Sequence, residues 1–313
     1  MVLLWSGVQR LLIRLSCTQN EWLIVSAFLT CWWTSVPFLY LFPATTGVIS
    51  YDGVSRAIFS THPAEKPYLI YQIGSSDPDL AVQAAKTVVQ DVSGIDLNCG
   101  CPKPFSTHSG MGAALLTNPD LLCSILTALR KELPPHITVT AKIRLLPSQE
   151  DTLKLVERIV NTGISALTVH CRTRSMRDKD RALIERLREI VDFVERMGKG
   201  IAVIENGDTK DWAHAKGVRE ITGAHSVMIA RGAEVNPSCF SLNPLKDVET
   251  TLVPAYLRLV RVLYFGRRKT PSHILHILRV SIWTPTGVLP SSVSTSSSLP
   301  VWMLLKPNLK HCV

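Results

Sequence analysis

The residues best suited to chemistry lie in the segment GIDLNCGCPKPFSTHSGMGAALL, residues 94–116. An apolar run ends at Asn98, and a turn containing proline then presents the thiol of Cys101 two positions before Lys103. The segment continues through a glycine-rich turn at residues 110–112 into an apolar helical pattern. A cysteine in the loop between a strand and the following helix occupies the place where α/β barrels carry their catalytic groups. We therefore predict that Cys101 takes part in the chemistry.

The surrounding sequence alternates apolar runs of strand length with segments of helical periodicity. The predicted strands are 68–73, 94–97, 137–143, 166–169, 201–204 and 226–230, and the predicted helices are 78–92, 112–131, 148–162, 180–197 and 210–222. This alternation predicts βαβ units around a parallel sheet. No G-x-G-x-x-G follows the first strand, which disfavours a dinucleotide-binding fold of the Rossmann type. We predict an α/β fold of the TIM (β/α)8-barrel type, incomplete because its first two βα units are not recognisable.

Every predicted strand ends in polar or reactive residues. They are Gln72; Asn98 with Cys101; Lys142 with Arg144; His170 with Arg172; Asn206, Gly207 and Asp208; and Ala230 with Arg231. The carboxyl ends of barrel strands converge on one mouth, so these residues are expected to share a site. The last two loops contain glycine and precede helices, an arrangement that offers backbone N–H groups to a phosphate. A single Gln or His in such a place is more often structural, but six consecutive polar strand ends favour a functional site.

Composition limits the classes of protein that fit. The 313 residues are 46% hydrophobic and 19% charged, enough for one large domain and an appendage. The net charge of +9 comes mainly from the end of the chain, because no Asp or Glu follows Glu249 whereas eight Lys and Arg do. The charge total therefore does not identify a nucleic-acid-binding surface. Eight irregularly spaced cysteines, with Cys99 and Cys101 one residue apart rather than in a C-x-x-C pair, argue against a disulfide framework and a metal site.

Taken together, the motifs resemble those of the flavin-dependent tRNA-dihydrouridine synthases, in particular the eukaryotic branch that acts on uridine 20 of the D-loop. The matching segments are YQIG (71–74), residues 94–116, AKIRLLP (141–147), GISALTVHCRT (163–173), ENGD (205–208) and SVMIARGA (226–233). The resemblance covers about residues 65–240 and implies a TIM barrel that contains FMN. It implies reduction of the C5=C6 bond of uridine in tRNA, with NADPH or NADH restoring the reduced flavin. It also implies a cytoplasmic or nuclear location.

The resemblance further implies roles for the site residues. Cys101, in the Cys-Pro pair, would protonate C5 after a hydride reaches C6, since a thiol with a pKa of about 8.5 is still protonated at neutral pH. The flavin ring and ribityl chain would be contacted by Gln72, Lys142 and His170, and the phosphate end by Asn206, Gly207, Asp208, Ala230 and Arg231. The substrate would be contacted by Asn98, Lys103, Arg144 and Arg172. The alternative to a substrate contact by Lys103 is that its side chain is simply solvated. The alternative for Arg144 and Arg172 is that they form ion pairs that support the site. Cys99 and Cys171 are interpreted as packing residues.

Both ends of the chain depart from the family pattern. The Ala-Pro-Met turn with which family members begin does not appear in residues 1–65. After VPAYLRLV (253–260) the pattern of the family's helical tRNA-binding domain stops, and residues 285–300 have the composition of a linker. We predict an atypical hydrophobic segment (1–50), a partial flavin-binding barrel (51–245) and a basic tail (246–313) from which most of the helical domain is missing.

Residues 22–43 contain no charged side chain and are about as long as a membrane span, with Arg10 and Arg14 preceding them. Pro37 and the tryptophan pair make this a poor span, so a membrane anchor and a mitochondrial targeting segment are both minor alternatives. A shift of reading frame would explain both abnormal ends, and so would divergence into a membrane-tethered paralogue.

Other functional classes stay open at this point. An incomplete barrel leaves exposed sheet edges, which leads to the hypothesis that the chain is a poor or inactive enzyme. Another FMN-dependent TIM-barrel dehydrogenase would share the flavin site but reduce a free pyrimidine. The third class is an inactive remnant that binds RNA or a membrane. The oligomeric state does not follow from the sequence.

Overall fold

The computed structural model describes residues 8–11, 24–25, 27–30, 49–52, 57–61 and 63–256. The strands are β1 (Val8–Leu11), β2 (Ile24–Val25), β3 (Ala27–Thr30), β4 (Ile49–Asp52), β5 (Ala57–Thr61), β6 (Ile70–Ile73), β7 (Gly94–Asn98), β8 (Thr138–Leu145), β9 (Ala166–Thr173), β10 (Ala202–Asn206) and β11 (Ser226–Ile229). The α-helices are α1 (Pro78–Val88), α2 (Pro104–Thr107), α3 (Pro119–Glu132), α4 (Gln149–Val160), α5 (Leu187–Arg196), α6 (Trp212–Thr222) and α7 (Arg231–Val235). Short 3-10 turns cover Pro63–Tyr68, Val89–Asp91, Gly112–Thr117, Ile184–Arg186 and Pro237–Phe240, and a π-helical turn covers Val248–Leu252.

Six parallel strands, β6 to β11, pair in the order in which they occur along the chain. Each strand lies beside its successor, and helices connect them, as in the βα units of a barrel. The sheet curls into half a barrel, which confirms both the six predicted strands and the α/β fold of TIM-barrel type. Strand β2 adds a seventh parallel strand beside β11, while β1 pairs with β3 and β4 with β5 in separate antiparallel ribbons.

The two faces of the sheet differ in polarity because side chains alternate along a strand. In β8, Val139, Ala141 and Ile143 are fully buried in the apolar core that the sheet shares with the helices. The intervening Thr140 and Lys142 therefore lie on the opposite face. Leucines of α3, which include Leu122, Leu126 and Leu129, pack into the same core. Burial of each leucine side chain stabilises the fold by about 1.5–3 kcal/mol.

The predicted helix 112–131 is wrong as a single element, because it divides at Asn118. A 3-10 turn covers Gly112–Thr117, and α3 begins at Pro119. The Asn118 side chain accepts a hydrogen bond from the Leu121 N–H at 3.2 Å and so caps the new helix. Proline suits the first position of a helix, where its missing N–H costs nothing, and would disrupt a helix interior.

The predicted helix 180–197 is also too long, since α5 starts only at Leu187. The Leu183 N–H donates to the Cys171 carbonyl at 2.6 Å, and the Ala182 N–H donates to Asp208 Oδ2 at 2.8 Å. These bonds hold the preceding segment against β9 and the loop after β10. The charged residues between 178 and 186 therefore belong to a loop and a 3-10 turn that precede α5.

The predictions for the two ends of the chain fall mostly outside the described residues. Of the predicted span 22–43, only Ile24–Val25 and Ala27–Thr30 are described, both as strands. Over the described ranges, no helix has both the length and the apolarity needed to cross a membrane. The predicted basic tail lies outside the described residues from residue 257 onward.

Replacing Asn118 with alanine removes the acceptor that caps α3, so we expect a loss of about 1 kcal/mol in the free energy of unfolding. Urea unfolding measures this loss. Asn118→Ser is the matched control and should stay close to the wild type, because serine retains a capping oxygen. Equal destabilisation by both substitutions would contradict the capping role.

Candidate active site

The strand register brings the predicted site residues to one edge of the sheet. Asn98 of β7 pairs with Lys142 of β8. His170 of β9 pairs with Arg144 on one side and with Asn206 of β10 on the other. Four neighbouring strands therefore present polar side chains near their carboxyl ends, in two rows that lie two residues apart along the strands, as the strand-end argument predicts.

The turn that carries Cys101 is held on both sides by hydrogen bonds. Asn98 Oδ1 accepts from the N–H groups of Gly100 and Cys101, both at 3.1 Å. The Cys101 carbonyl accepts from the Ala113 N–H at 2.9 Å. Gly112 has a φ of +60°, and a Cβ there would lie 2.4 Å from Ser106 Oγ and 2.7 Å from the Cys101 carbonyl oxygen. Glycine is therefore required beside the thiol turn.

The cysteines near the site differ in access to solvent. Cys101 is half-buried, whereas Cys99 and Cys171 are completely buried. Burial raises the pKa of the Cys99 thiol well above its ordinary value, and the nearby Asp96 raises it further. Burial also raises the pKa of Cys171, and the charge of Glu205 adds to that effect. The packing interpretation of Cys99 and Cys171 therefore agrees with their surroundings.

A chain of hydrogen-bonded side chains, buried except for the partly exposed Gln72, leads from the polar face of the sheet to the thiol turn. Thr140 Oγ1 donates to Asp96 Oδ1 at 2.7 Å, and Gln72 Nε2 donates to Asp96 Oδ2 at 2.5 Å. Asn98 Nδ2 donates to Gln72 Oε1 at 3.1 Å. Two predicted site residues, Gln72 and Asn98, are thus linked through their amides, and Asp96 is a site residue that the sequence interpretation missed.

Arg144 forms hydrogen bonds that hold together the loops around the thiol. Its Nε donates to the Gly100 carbonyl at 2.9 Å, and its Nη1 donates to the Thr173 carbonyl at 2.9 Å. Lys142 is also buried, while Lys103 is exposed on the loop. Of the predicted substrate contacts, Lys103 is therefore the one open to solvent, whereas Arg144 is buried and donates to main-chain carbonyls of two loops.

An ion-pair network joins the loops after β9, β10 and β11. Asp208 Oδ1 accepts from Nη2 of both Arg172 and Arg231 at 2.6 Å, and Arg172 is only 3% exposed. Although partial burial would raise it, the pKa of Asp208 is lowered by hydrogen bonds from Arg172 and Ala182 and by the charges of both arginines. Arg172 Nη1 also lies 3.3 Å from His170 Nε2. A guanidinium has no acceptor, so this ring nitrogen accepts the bond.

The main chain of the last two loops approaches its surroundings closely. A Cβ at Gly207 would lie 2.7 Å from Ala182 Cβ, and one at Gly232 would lie 2.0 Å from the Lys210 carbonyl oxygen. Asn206 Nδ2 donates to the Met228 carbonyl at 2.9 Å, which ties the ends of β10 and β11 together. Ala230 directly precedes α7. These contacts bring the predicted phosphate-binding residues into one region.

Glu205 is a second buried carboxyl that the sequence interpretation left without a role. Its side chain is inaccessible to solvent, Oε2 accepts from Thr209 Oγ1 at 2.9 Å, and Oε1 has no hydrogen-bond partner among the described residues. Burial raises the pKa of Glu205 to about 8. In the sequence, the signal for a buried carboxyl at this position is an acidic residue at the end of the apolar run IAVIE. The described residues include no group of three or more His, Cys, Asp and Glu placed to hold a metal ion.

This fold and its polar strand ends define a barrel-type α/β protein with a thiol at the carboxyl edge of the sheet. Residues 47–262 match the sequence profile of the family described as Dihydrouridine synthase (Dus), and the chain belongs to this family. The assignment made from the sequence motifs is thereby confirmed.

Curated relatives carry names that agree with the family. The chain is 51% identical over 190 residues to the tRNA-dihydrouridine(20) synthase [NAD(P)+] of Schizosaccharomyces pombe, a match that covers 60% of this chain and 39% of the relative. It is 44% identical to the Saccharomyces cerevisiae protein of the same name, covering 58% and 49%. It is 31% identical to the S. cerevisiae tRNA-dihydrouridine(20a/20b) synthase [NAD(P)+], also covering 58% and 49%. The chain therefore spans about two fifths to one half of the length of these relatives.

Substitution of Glu205 by glutamine is expected to change how stability depends on pH. The unfolded chain ionises this carboxyl near its ordinary pKa of 4.5, whereas the folded chain does so only near 8. The wild-type free energy of unfolding should therefore fall as the pH rises from 4.5 to 8, by at most about 1.4 kcal/mol per pH unit from this group. Glu205→Gln lacks this contribution. Urea unfolding of the wild type and of the variant from about pH 5 to about pH 8, the range between the two pKa values, measures the difference.

Glu195, which is exposed on α5, offers the matched control. Glu195→Gln should retain the wild-type dependence of stability on pH. If Glu205→Gln and the wild type show parallel curves over this pH range, the carboxyl does not stay protonated in the folded protein.

Proposed function

We propose that the chain forms the catalytic core of a tRNA-dihydrouridine synthase that uses FMN and reduces the C5=C6 bond of uridine 20 in the D-loop. NADPH or NADH would be the reductant. The observation that carries the proposal is the half-buried Cys101, held by hydrogen bonds to Asn98 and Ala113 within the family's motif at the carboxyl edge of the sheet. The relatives with the higher identities carry the position-20 name, which supports the choice of uridine.

The residues present fit FMN. Gly207 and Gly232 lie too close to Ala182 and Lys210 to carry a side chain, so they allow the loops at the proposed phosphate end to pack against one another. Lys142 and Arg231 are cationic, which suits an anionic reduced ring and a phosphate respectively. Gln72, His170, Asn206 and Ala230 lie on the same edge of the sheet. Asp208 fits as the partner of two arginines, since a carboxylate would repel a phosphate unless cations accompany it.

When bound, the reduced flavin supplies the hydride that adds to C6 of the uracil ring. Negative charge then develops on C5 and the C4 carbonyl oxygen, and the Cys101 thiol donates its proton to C5. The Cys101 thiolate is reprotonated from solvent, to which the half-buried side chain has access. Asn98 keeps the turn in place through the two N–H groups that it accepts from. Exposed Lys103 is suited to contact a tRNA phosphate.

The direct test incubates the purified full chain with FMN, NADPH and an unmodified tRNA transcript, and measures dihydrouridine by mass spectrometry. Dihydrouridine at position 20 is the expected product. Turnover of free uracil or orotate without turnover of tRNA would instead identify a pyrimidine dehydrogenase. Absence of flavin binding and of any product would identify an inactive relative and overturn the proposal.

Cys101→Ala should lower the rate of dihydrouridine formation by about 10² to 10⁴, the usual contribution of a positioned general acid. Cys123→Ala is the matched control, since Cys123 is also partly buried but lies on α3 away from the strand ends. The control should keep the wild-type rate, and visible flavin absorbance should be unchanged in both variants. Full activity of Cys101→Ala would exclude the thiol as the acid.

A further inference from the structure

The buried carboxyl group of Asp96 belongs to the side-chain network that leads to Cys101. Gln72 and Thr140 each donate to one of its oxygens, at 2.5 and 2.7 Å. Gln72 in turn accepts from Asn98, and Asn98 accepts from the Gly100 and Cys101 N–H groups. Asp96 is 4% exposed, and Asn98 and Thr140 are nearly as buried, so these groups depend on one another for hydrogen bonds.

The direction of every bond in this chain follows from its Cys101 end. A main-chain N–H can only donate, so Asn98 must present its carbonyl oxygen to Gly100 and Cys101. The Asn98 amide nitrogen then faces Gln72, which must present its own oxygen. The Gln72 nitrogen is left facing residue 96, and that residue must accept.

A carboxylate is the side chain that meets this requirement without ambiguity, because it accepts at both oxygens and donates at neither. We propose that Asp96 is a positioning residue that fixes the direction of the Gln72 and Asn98 amides and thereby holds the Cys101 turn. The value of this arrangement for catalysis rests on the proposed function, in which Cys101 is the acid. The arrangement itself is independent of that reaction.

Asparagine at position 96 would make the direction ambiguous. It could offer its nitrogen to Gln72, after which both amides reverse and Asn98 points its nitrogen at the Cys101 N–H. Alternatively it could keep its oxygen toward Gln72, and Thr140 would then have to accept and turn its own hydrogen away from residue 96. Either arrangement disturbs a hydrogen bond in a buried place, so the thiol turn should open more often.

A second substitution should restore the direction. In the double variant Asp96→Asn/Gln72→Glu, the new carboxylate at position 72 accepts both from the new amide at position 96 and from Asn98. The hydrogen bond between positions 72 and 96 is thereby kept with its direction reversed, while Asn98 keeps its oxygen toward the thiol turn. Thr140 could again donate to residue 96. Thr140→Val is the matched control, because it removes a donor to Asp96 without changing the direction of the chain.

Hydrogen–deuterium exchange resolved to single amides of the full chain tests the proposal. Asp96→Asn should speed exchange at Gly100 and Cys101 about fivefold, the equivalent of one lost hydrogen bond. Exchange in α3 should not change, the double variant should return to the wild-type rate, and Thr140→Val should remain there. A wild-type rate in Asp96→Asn, or no recovery in the double variant, would overturn the positioning role.

If Asp96→Asn unfolds the whole chain, the comparison is made on the midpoint of urea unfolding. Recovery in the double variant then supports the proposal, and equal instability of the two variants overturns it. These measurements need neither tRNA nor turnover. Failure of the synthase activity would therefore leave this result intact, and failure of the exchange test would leave the proposed function standing.

Discussion

The register of the parallel strands is the constraint on which the site depends. Because side chains alternate between the faces of a sheet, the pairing of Asn98 with Lys142 places both on the polar face. A slip of one residue would turn Lys142 toward the helices and bring Ile143 to the site. The apolar residues that pack against the helices therefore also determine which polar residues meet at the strand ends.

This dependence explains why the strands could be predicted and two helix boundaries could not. The strands follow from short apolar runs, which report burial directly. In the predicted helix 112–131 the apolar period continues past Asn118 and Pro119, so the period alone does not show the capping signal that these two residues carry. The late start of α5 has no local signal, because the segment before it is held by Asp208, which lies 26 residues from Ala182 in the sequence.

The grouping of the site residues was predictable for the same reason as the strands, but the partners of the charged groups were not. The sequence motif ENGD placed Asp208 among the cofactor-binding residues, while its two arginine partners are 23 and 36 residues away. Asp96 lies within the same motif as Cys101, and the sequence alone does not single it out. Its role follows only from the direction of hydrogen bonds that cross three strands.

The local charge of the site also differs from what the motif suggests. Written as a sequence, ENGD carries two acidic residues beside the loop proposed to hold a phosphate. In the fold, Glu205 keeps its proton up to about pH 8, and Asp208 is shared between Arg172 and Arg231. At neutral pH this group of four side chains therefore carries a positive charge, because burial neutralises one acid and two cations surround the other. This local positive charge results from an arrangement of partners that the net charge of the whole chain does not reveal.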